Sequence, residues 1–187
     1  MHSWHDVKAS RVTPQRFLAT IEISKGSKNK YELDKETGHL ILDRVLFTST
    51  HYPQNYGFIP RTFANDFDPL DVLVLCSESI VPMSLVEAVP IGVLIMTDNG
   101  LNDEKIIAVA ANDPFYNGYK DINEVPPHIM DEIKHFFSVY KTLEGKPTSV
   151  DVVKGREDAE RIIEECLKRY QTEIAPKIIA ERKARGY

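Results

Sequence analysis

The stretch Asp66-Phe67-Asp68-Pro69-Leu70-Asp71-Val72-Leu73-Val74-Leu75 runs an acidic loop straight into an aliphatic strand. That strand is too apolar to be a solvated edge, so it belongs inside a sheet. Outward from it, strand-like runs recur at 17–23, 30–33, 40–45, 91–97 and 105–111, each β-branched, apolar or alternating. Gly, Asn, Asp and Pro punctuate them. Helical periodicity arrives only late. After Pro126-Pro127, the residues Ile129, Ile133, Phe136, Phe137 and Tyr140 recur at helical spacing, with Gly145 just past the end. A strand-like run at 149–153 precedes a second helix, which opens on Glu157 and Asp158 and is striped by Ala159, Ile162, Ile163, Cys166, Leu167 and Tyr170. Pro176 ends or kinks it, and the basic tail after about residue 175 is expected to be loose. Strands first and helices after make an α+β fold, a small closed or nearly closed barrel with helices packed outside. No repeat or linker divides the 187 residues, so a single domain, 1–187, is expected.

Composition narrows the function. Lys plus Arg number 23 against 28 Asp plus Glu, a formal charge of -5. That balance argues against nucleic acid or an anionic membrane as partner. A small polyanion would need a locally basic site or bound cations. The two cysteines, Cys76 and Cys166, make no disulfide framework, and neither lies near a His at metal-ligand spacing. No basic segment followed by an apolar stretch opens the sequence, and no apolar run approaches membrane-spanning length. A reducing, cytoplasmic setting is the resulting expectation.

Three carboxylates, Asp66, Asp68 and Asp71, crowd the mouth of the apolar strand. Like charges at the end of a buried strand repel, and a hard divalent ion with oxygen ligands would relieve them. A solvated acidic turn explains the segment equally well on its own. A second cluster changes the balance. Asp98-Asn99-Gly100-Leu101-Asn102-Asp103-Glu104-Lys105 joins two strands through hairpin-turn residues. Asp98 and Asp103 stand at its two ends, where strand pairing would bring them together. Two such loops at one mouth of a barrel suit more than one metal ion.

Cations and phenols accompany the acids. Period-two alternation puts Lys30 and Glu32 on one strand face, and Arg44 shares a face with Leu40 and Leu42, which are expected to point inward. An inward charge wants a partner, either an anionic ligand or a structural carboxylate. Tyr52-Pro53-Gln54-Asn55-Tyr56-Gly57-Phe58 reads as a turn-like segment, and Tyr140-Lys141 closes the first helix. The six histidines make no ligand-spaced pair, and no Gly-rich phosphate loop, Ser-centred elbow or Cys–His pairing is evident. Phosphate would have to be held by side chains and metal.

The segment Asp66-x-Asp68-Pro69-x-Asp71 entering an apolar strand resembles the signature of the soluble family I inorganic pyrophosphatases. The resemblance runs from about Trp4 to Tyr170 and takes in Ile21-Glu22-Ile23, Lys30-Tyr31-Glu32, Asp43-Arg44, Tyr52-Pro53-x-Asn55-Tyr56-Gly57, Asp98 with Asp103-x-Lys105, and Tyr140-Lys141. It implies a closed, oligonucleotide-binding-like five-stranded barrel, with additional strands and two helices from the C-terminal half packed outside. It implies hydrolysis of pyrophosphate to two orthophosphates by direct attack of a metal-activated water, without a phosphoenzyme. Several Mg2+ ions would serve each site, with Mn2+ as a substitute. Asp66, Asp71 and Asp103 match ligands of the activating metal, Asp71 bridging to a second ion. Asp98 matches a ligand of metal arriving with substrate, and Glu22 and Glu32 match acids acting nearby. Asp68 matches the general base. Lys30, Arg44, Tyr56, Lys105, Tyr140 and Lys141 match the phosphate-binding set, and Tyr52 and Asn55 its supports. A homo-oligomer, a hexamer in the compact bacterial form, is also implied. Phe67 departs from the pattern, which commonly has Gly there. An outward or packed side chain is expected; a φ above zero would strain it. Rival readings are a related enzyme acting on nucleotides or polyphosphate, an oligonucleotide-binding barrel, and a structural calcium-binding domain.

Overall fold

The computed structural model describes residues 2–98, 100–146 and 148–186. Six strands form one sheet, β1 (Phe17–Ile23), β4 (Asn55–Phe58), β5 (Asp71–Leu75), β7 (Leu101–Ala110), β6 (Leu85–Asp98) and β8 (Thr148–Gly155), in that spatial order. β1 also pairs with β6, Phe17 facing Ala88 and Thr20 facing Leu85, which closes β1, β4, β5, β7 and β6 into a five-stranded ring. β8 adds to the outer edge of β6. The pairing of β5 with β7 is parallel, and the others are antiparallel.

β5 explains its own sequence. Val72 and Val74 pack in one buried cluster with helix α2 (Arg156–Arg169), while Leu73 and Leu75 pack in another with helix α1 (Pro127–Val139). A strand covered on both faces needs no polar alternation. α1 starts with Pro127 in its first turn and buries Met130, Ile133, Phe136 and Phe137. α2 carries Glu157 and Asp158 at its start and Lys168 and Arg169 at its end, complementing the helix dipole at both ends.

Three sequence expectations need amendment. The segment around Tyr56 is not merely turn-like: Asn55–Phe58 forms the fully buried strand β4 between β1 and β5. A Cβ at Gly57 would lie 1.9 Å from the Thr20 carbonyl oxygen, so only glycine lets β4 lie against β1 there. β2 (Asn29–Leu33) and β3 (Leu40–Val45) form a separate hairpin, and Leu42 is half exposed rather than inward. Beyond Tyr170 the chain makes a wide helical turn over Tyr170–Ile174 and continues as a third helix, α3 (Ala175–Ala184), with Pro176 in its first turn. Arg182 of α3 donates to Asp6 at 2.5 Å, tying this segment to the other end of the chain. Asn99, read as part of the β6–β7 turn, lies outside the described residues; Gly100 beside it has φ +81°. Among the described residues no helix is long and apolar enough to cross a membrane.

Candidate active site

The cleft at the mouth of the ring, about 270 Å³, gathers residues from seven parts of the chain. β1 supplies Glu22; the hairpin supplies Lys30 and Glu32; the acidic loop supplies Asp66, Asp68 and Asp71. Tyr56 comes from β4, Asp98 from β6, and Asp103 and Lys105 from β7. Tyr140 and Lys141 arrive from the end of α1.

Strand register explains the centre. Asp71 and Lys105 are partners in the parallel β5–β7 pairing, and Asp103 precedes Lys105 by two residues, on the same strand face. Lys105 is 2 % exposed, its ammonium 2.7 Å from Asp71 Oδ2 and 3.0 Å from Asp103 Oδ2. Burial works against its charge, but Asp103 and Asp71 outweigh that and hold it protonated well above the usual lysine range. Tyr56 donates to Asp71, and Lys105 lies within hydrogen-bond reach of the Tyr56 hydroxyl at 3.2 Å. Burial, then Asp71 and Asp103, keep that phenol protonated well above its normal range.

The acids are crowded and partly desolvated. Burial and then Asp71 push Glu22 up to about 8, although its Oε1 accepts from the Leu33 N–H at 2.7 Å. The same two causes push Asp66 up to about 6. Asp103 is raised by burial, against the pull of Lys105. Lys141 pairs with Asp98 through Oδ2, while Asp98 Oδ1 is buried with no hydrogen-bond partner among the described residues.

These features test whether a divalent cation fits. All donors are carboxylate oxygens, the choice of a hard ion such as Mg2+. Burial and neighbouring carboxylates raise two acids, Glu22 and Asp66, and one buried oxygen is orphaned. Among the described residues no three acids converge on a common point, because the Lys105 ammonium sits between Asp71 and Asp103. The residues fit the ion in kind; receiving it requires these side chains to turn from their present ion pairs.

Three of the residues expected at the site line no part of the cleft. Tyr52 is buried behind Tyr56, ring centroids 5.3 Å apart. Asn55 accepts from the Lys25 and Ile80 N–H groups and donates to the Glu78 carbonyl, so it braces the flanking loops. Arg44 is the register partner of Lys30 across the β2–β3 hairpin, and it pairs with Asp43 and Glu144. One cleft residue escaped the sequence reading. Lys35, on the β2–β3 turn, ion-pairs with Asp68. Only its place two residues beyond Leu33 on the hairpin hinted at this.

Phe67 resolves the question posed by its sequence. Its ring points outward, 68 % exposed, and its backbone lies in the left-handed region at φ +69°. That conformation costs a side-chain-bearing residue about 1–2 kcal/mol, of which glycine would return part as chain entropy. Phe67→Gly should therefore be neutral to about 1 kcal/mol stabilising in thermal melts, with turnover within about twofold of wild type. Destabilisation beyond about 1 kcal/mol would show that the ring's contact with Phe63, at 6.2 Å between centroids, outweighs the backbone strain.

A closed ring whose mouth interleaves carboxylates with buried ammonium groups and protonated phenols defines a hydrolase of phosphate compounds. Comparison with known proteins supplies the family. A family description, inorganic pyrophosphatase, matches residues 19–171. The soluble inorganic pyrophosphatase 2 of Chlamydomonas reinhardtii is 48% identical over 176 residues, 94% of this chain and 92% of that protein. The crystal structure of inorganic pyrophosphatase from Thermus thermophilus superposes with a TM-score of 0.86 at 38% identity, covering 90% of this chain and 99% of that one. The enzyme of Helicobacter pylori gives 0.84 at 43% identity, covering 89% and 99%. The chain belongs to the inorganic pyrophosphatase family.

Proposed function

We propose that this cleft binds pyrophosphate with Mg2+ and hydrolyses it to two orthophosphates by direct attack of water, with no covalent phosphoenzyme. The observation that carries this reading is the convergence, in one cleft, of desolvated carboxylates with cations that stay charged. Mg2+, with Mn2+ as a substitute, would be held by Asp66, Asp71, Asp98 and Asp103, with Glu22 and Glu32 at the edge. When bound, the metal neutralises the substrate and lowers the pKa of water.

The chain's own residues do the rest. Lys30, Lys105 and Lys141 meet phosphoryl oxygens, and Arg44 joins them from beside Lys30. Tyr56 and Tyr140, both raised by burial, remain hydroxyl donors at neutral pH. Asp68 takes the proton of the attacking water once Lys35 has turned from it toward the incoming anion. Lys30 is lowered by burial, with Asp43 opposing. The net charge of -5 suits this order of events: the acids collect cations first, and the loaded site attracts the anion.

We also propose that the chain acts as a single domain in a homo-oligomer, a hexamer, in the cytoplasm, without nucleic-acid or membrane partners. Turnover of pyrophosphate, ATP and tripolyphosphate with Mg2+ tests the substrate. Pyrophosphate should exceed the other two by about a hundredfold or more. Comparable turnover of ATP would replace the reading with a nucleotide hydrolase.

A further inference from the structure

Arg44, the register partner of the cleft residue Lys30, meets Glu144 across a separation of 100 residues, Nε donating to Oε1 at 2.9 Å. The Glu144 side chain is 5% exposed. A carboxylate so withdrawn from water is costly unless paired, and Glu144 is paired with Arg44 at Oε1 and, at 3.7 Å, with Lys146 at Oε2. It is delivered by the single helical turn Thr142–Glu144, directly after Lys141. One short piece of chain therefore places Lys141 in the cleft and grips Arg44 beside it.

The grip is one-sided. Glu144 occupies the Nε edge of the guanidinium, Nη1 pairs with Asp43, and Nη2 is buried with no partner among the described residues. Asp43 is a shared partner, also reached by the Lys30 ammonium at 3.4 Å, and its side chain is a third exposed. A phosphoryl oxygen that displaced Asp43 would meet the Nη edge without disturbing the Glu144 contact. A planar fork fixed along one edge presents the other in a set plane, which is what bidentate phosphate recognition needs.

We propose that Glu144 is a positioning residue for pyrophosphate binding, acting through Arg44 to aim its Nη edge at a phosphoryl group. The proposal rests on Arg44 being a phosphate ligand, as inferred above. Steady-state kinetics with Mg2+ and pyrophosphate on the full chain test it, using Glu144→Gln, Glu144→Asp, Arg44→Ala and the double variant Glu144→Gln/Arg44→Ala. Glu144→Gln should raise KM about tenfold with kcat within about threefold, and Glu144→Asp should recover much of the loss. The double variant should be no worse than Arg44→Ala, since a residue acting through another adds nothing once that one is gone. In the 15N NMR spectrum, the Arg44 Nε–H signal, assigned by its loss in Arg44→Ala, should be sharp and slow to exchange in wild type and Glu144→Asp, and broadened in Glu144→Gln.

Multiplying penalties in the double variant, or an unchanged KM in Glu144→Gln, would overturn the proposal while leaving Arg44 a ligand. An unchanged KM in Arg44→Ala would remove the ligand reading and the proposal together. If Glu144→Gln does not fold, the Glu144→Asp kinetics and the Arg44 Nε–H signal decide the matter: wild-type KM with a broadened signal in that variant also overturns it.

Discussion

Asp71→Asn should lower pyrophosphate turnover by about a thousandfold while leaving the barrel folded. Asp71 is the first residue of β5, partner of Lys105 in the strand register and acceptor from Tyr56 and Lys105. Asparagine keeps the shape and removes the charge, so the loss falls on whatever needs an anionic oxygen there. Metal needs it, and so does the alignment of Lys105 and Tyr56. The fold tolerates the change because Asp103, 3.0 Å away, still neutralises Lys105. Losing Asp71 also relieves repulsion felt by Glu22 and Asp66. Phosphate release and circular dichroism measured on the same sample separate the two effects. Activity within about tenfold of wild type would remove Asp71 from the metal site.

Metal-free protein should lose stability as pH rises from about 6.5 to 8, and Mg2+ should abolish the loss. Glu22 is held near 8 in the fold against an ordinary 4.5. Between those values the native state keeps a proton that the unfolded chain has released, so stability falls as pH rises through the window and is fully present below about 4.5. His5 acts oppositely. Burial, then His2, lower it from 6.5 to about 4, so its contribution is lost as pH falls through that lower range. Above about 6.5 the His5 effect is spent, and Glu22 accounts for on the order of 2 kcal/mol by pH 8, or about 4–8 °C in Tm for a chain of this length. Bound Mg2+ favours the ionised acids, so its stabilisation should grow with pH. Thermal melts at pH 6.5 and 8, in chelator and in Mg2+, check this, with Glu22→Gln as the control that flattens the slope. Equal slopes with and without Mg2+ would dissociate these acids from metal.

Much of this architecture was legible before any coordinates. β1 and β3 begin and end where the sequence patterns do, because alternation and bounding turn residues are local signals. The stripes of α1 and α2 are likewise local. β4 was not legible, since Asn55–Phe58 becomes a strand only through partners on both sides and a contact that excludes every side chain but glycine at position 57. The closure of β1 on β6 lies in pairing at long separation, and β6 extends past Pro90 through a register shift there. The hairpin misled in a particular way: a pattern expected to bury Leu42 instead stands off the ring and carries Lys30, Glu32 and Lys35 to the cleft.

The site was legible as a set but not as a geometry. Spacing grouped the acids at two loop ends, and the family signature linked them to the cations. Neither revealed that four of the acids pair with cations of the phosphate-binding set: Asp71 and Asp103 with Lys105, Asp98 with Lys141, and Glu32 with Lys30. Nor did they reveal Glu144, whose partner lies 100 residues away.

Phosphate release from pyrophosphate by the wild-type chain, measured with Mg2+ and then with excess chelator, tests the central claim most directly. Rapid release with Mg2+, falling by about three orders of magnitude or more in chelator, is the predicted result. Release that continues undiminished in chelator, or none from folded, Mg2+-loaded protein, would contradict it.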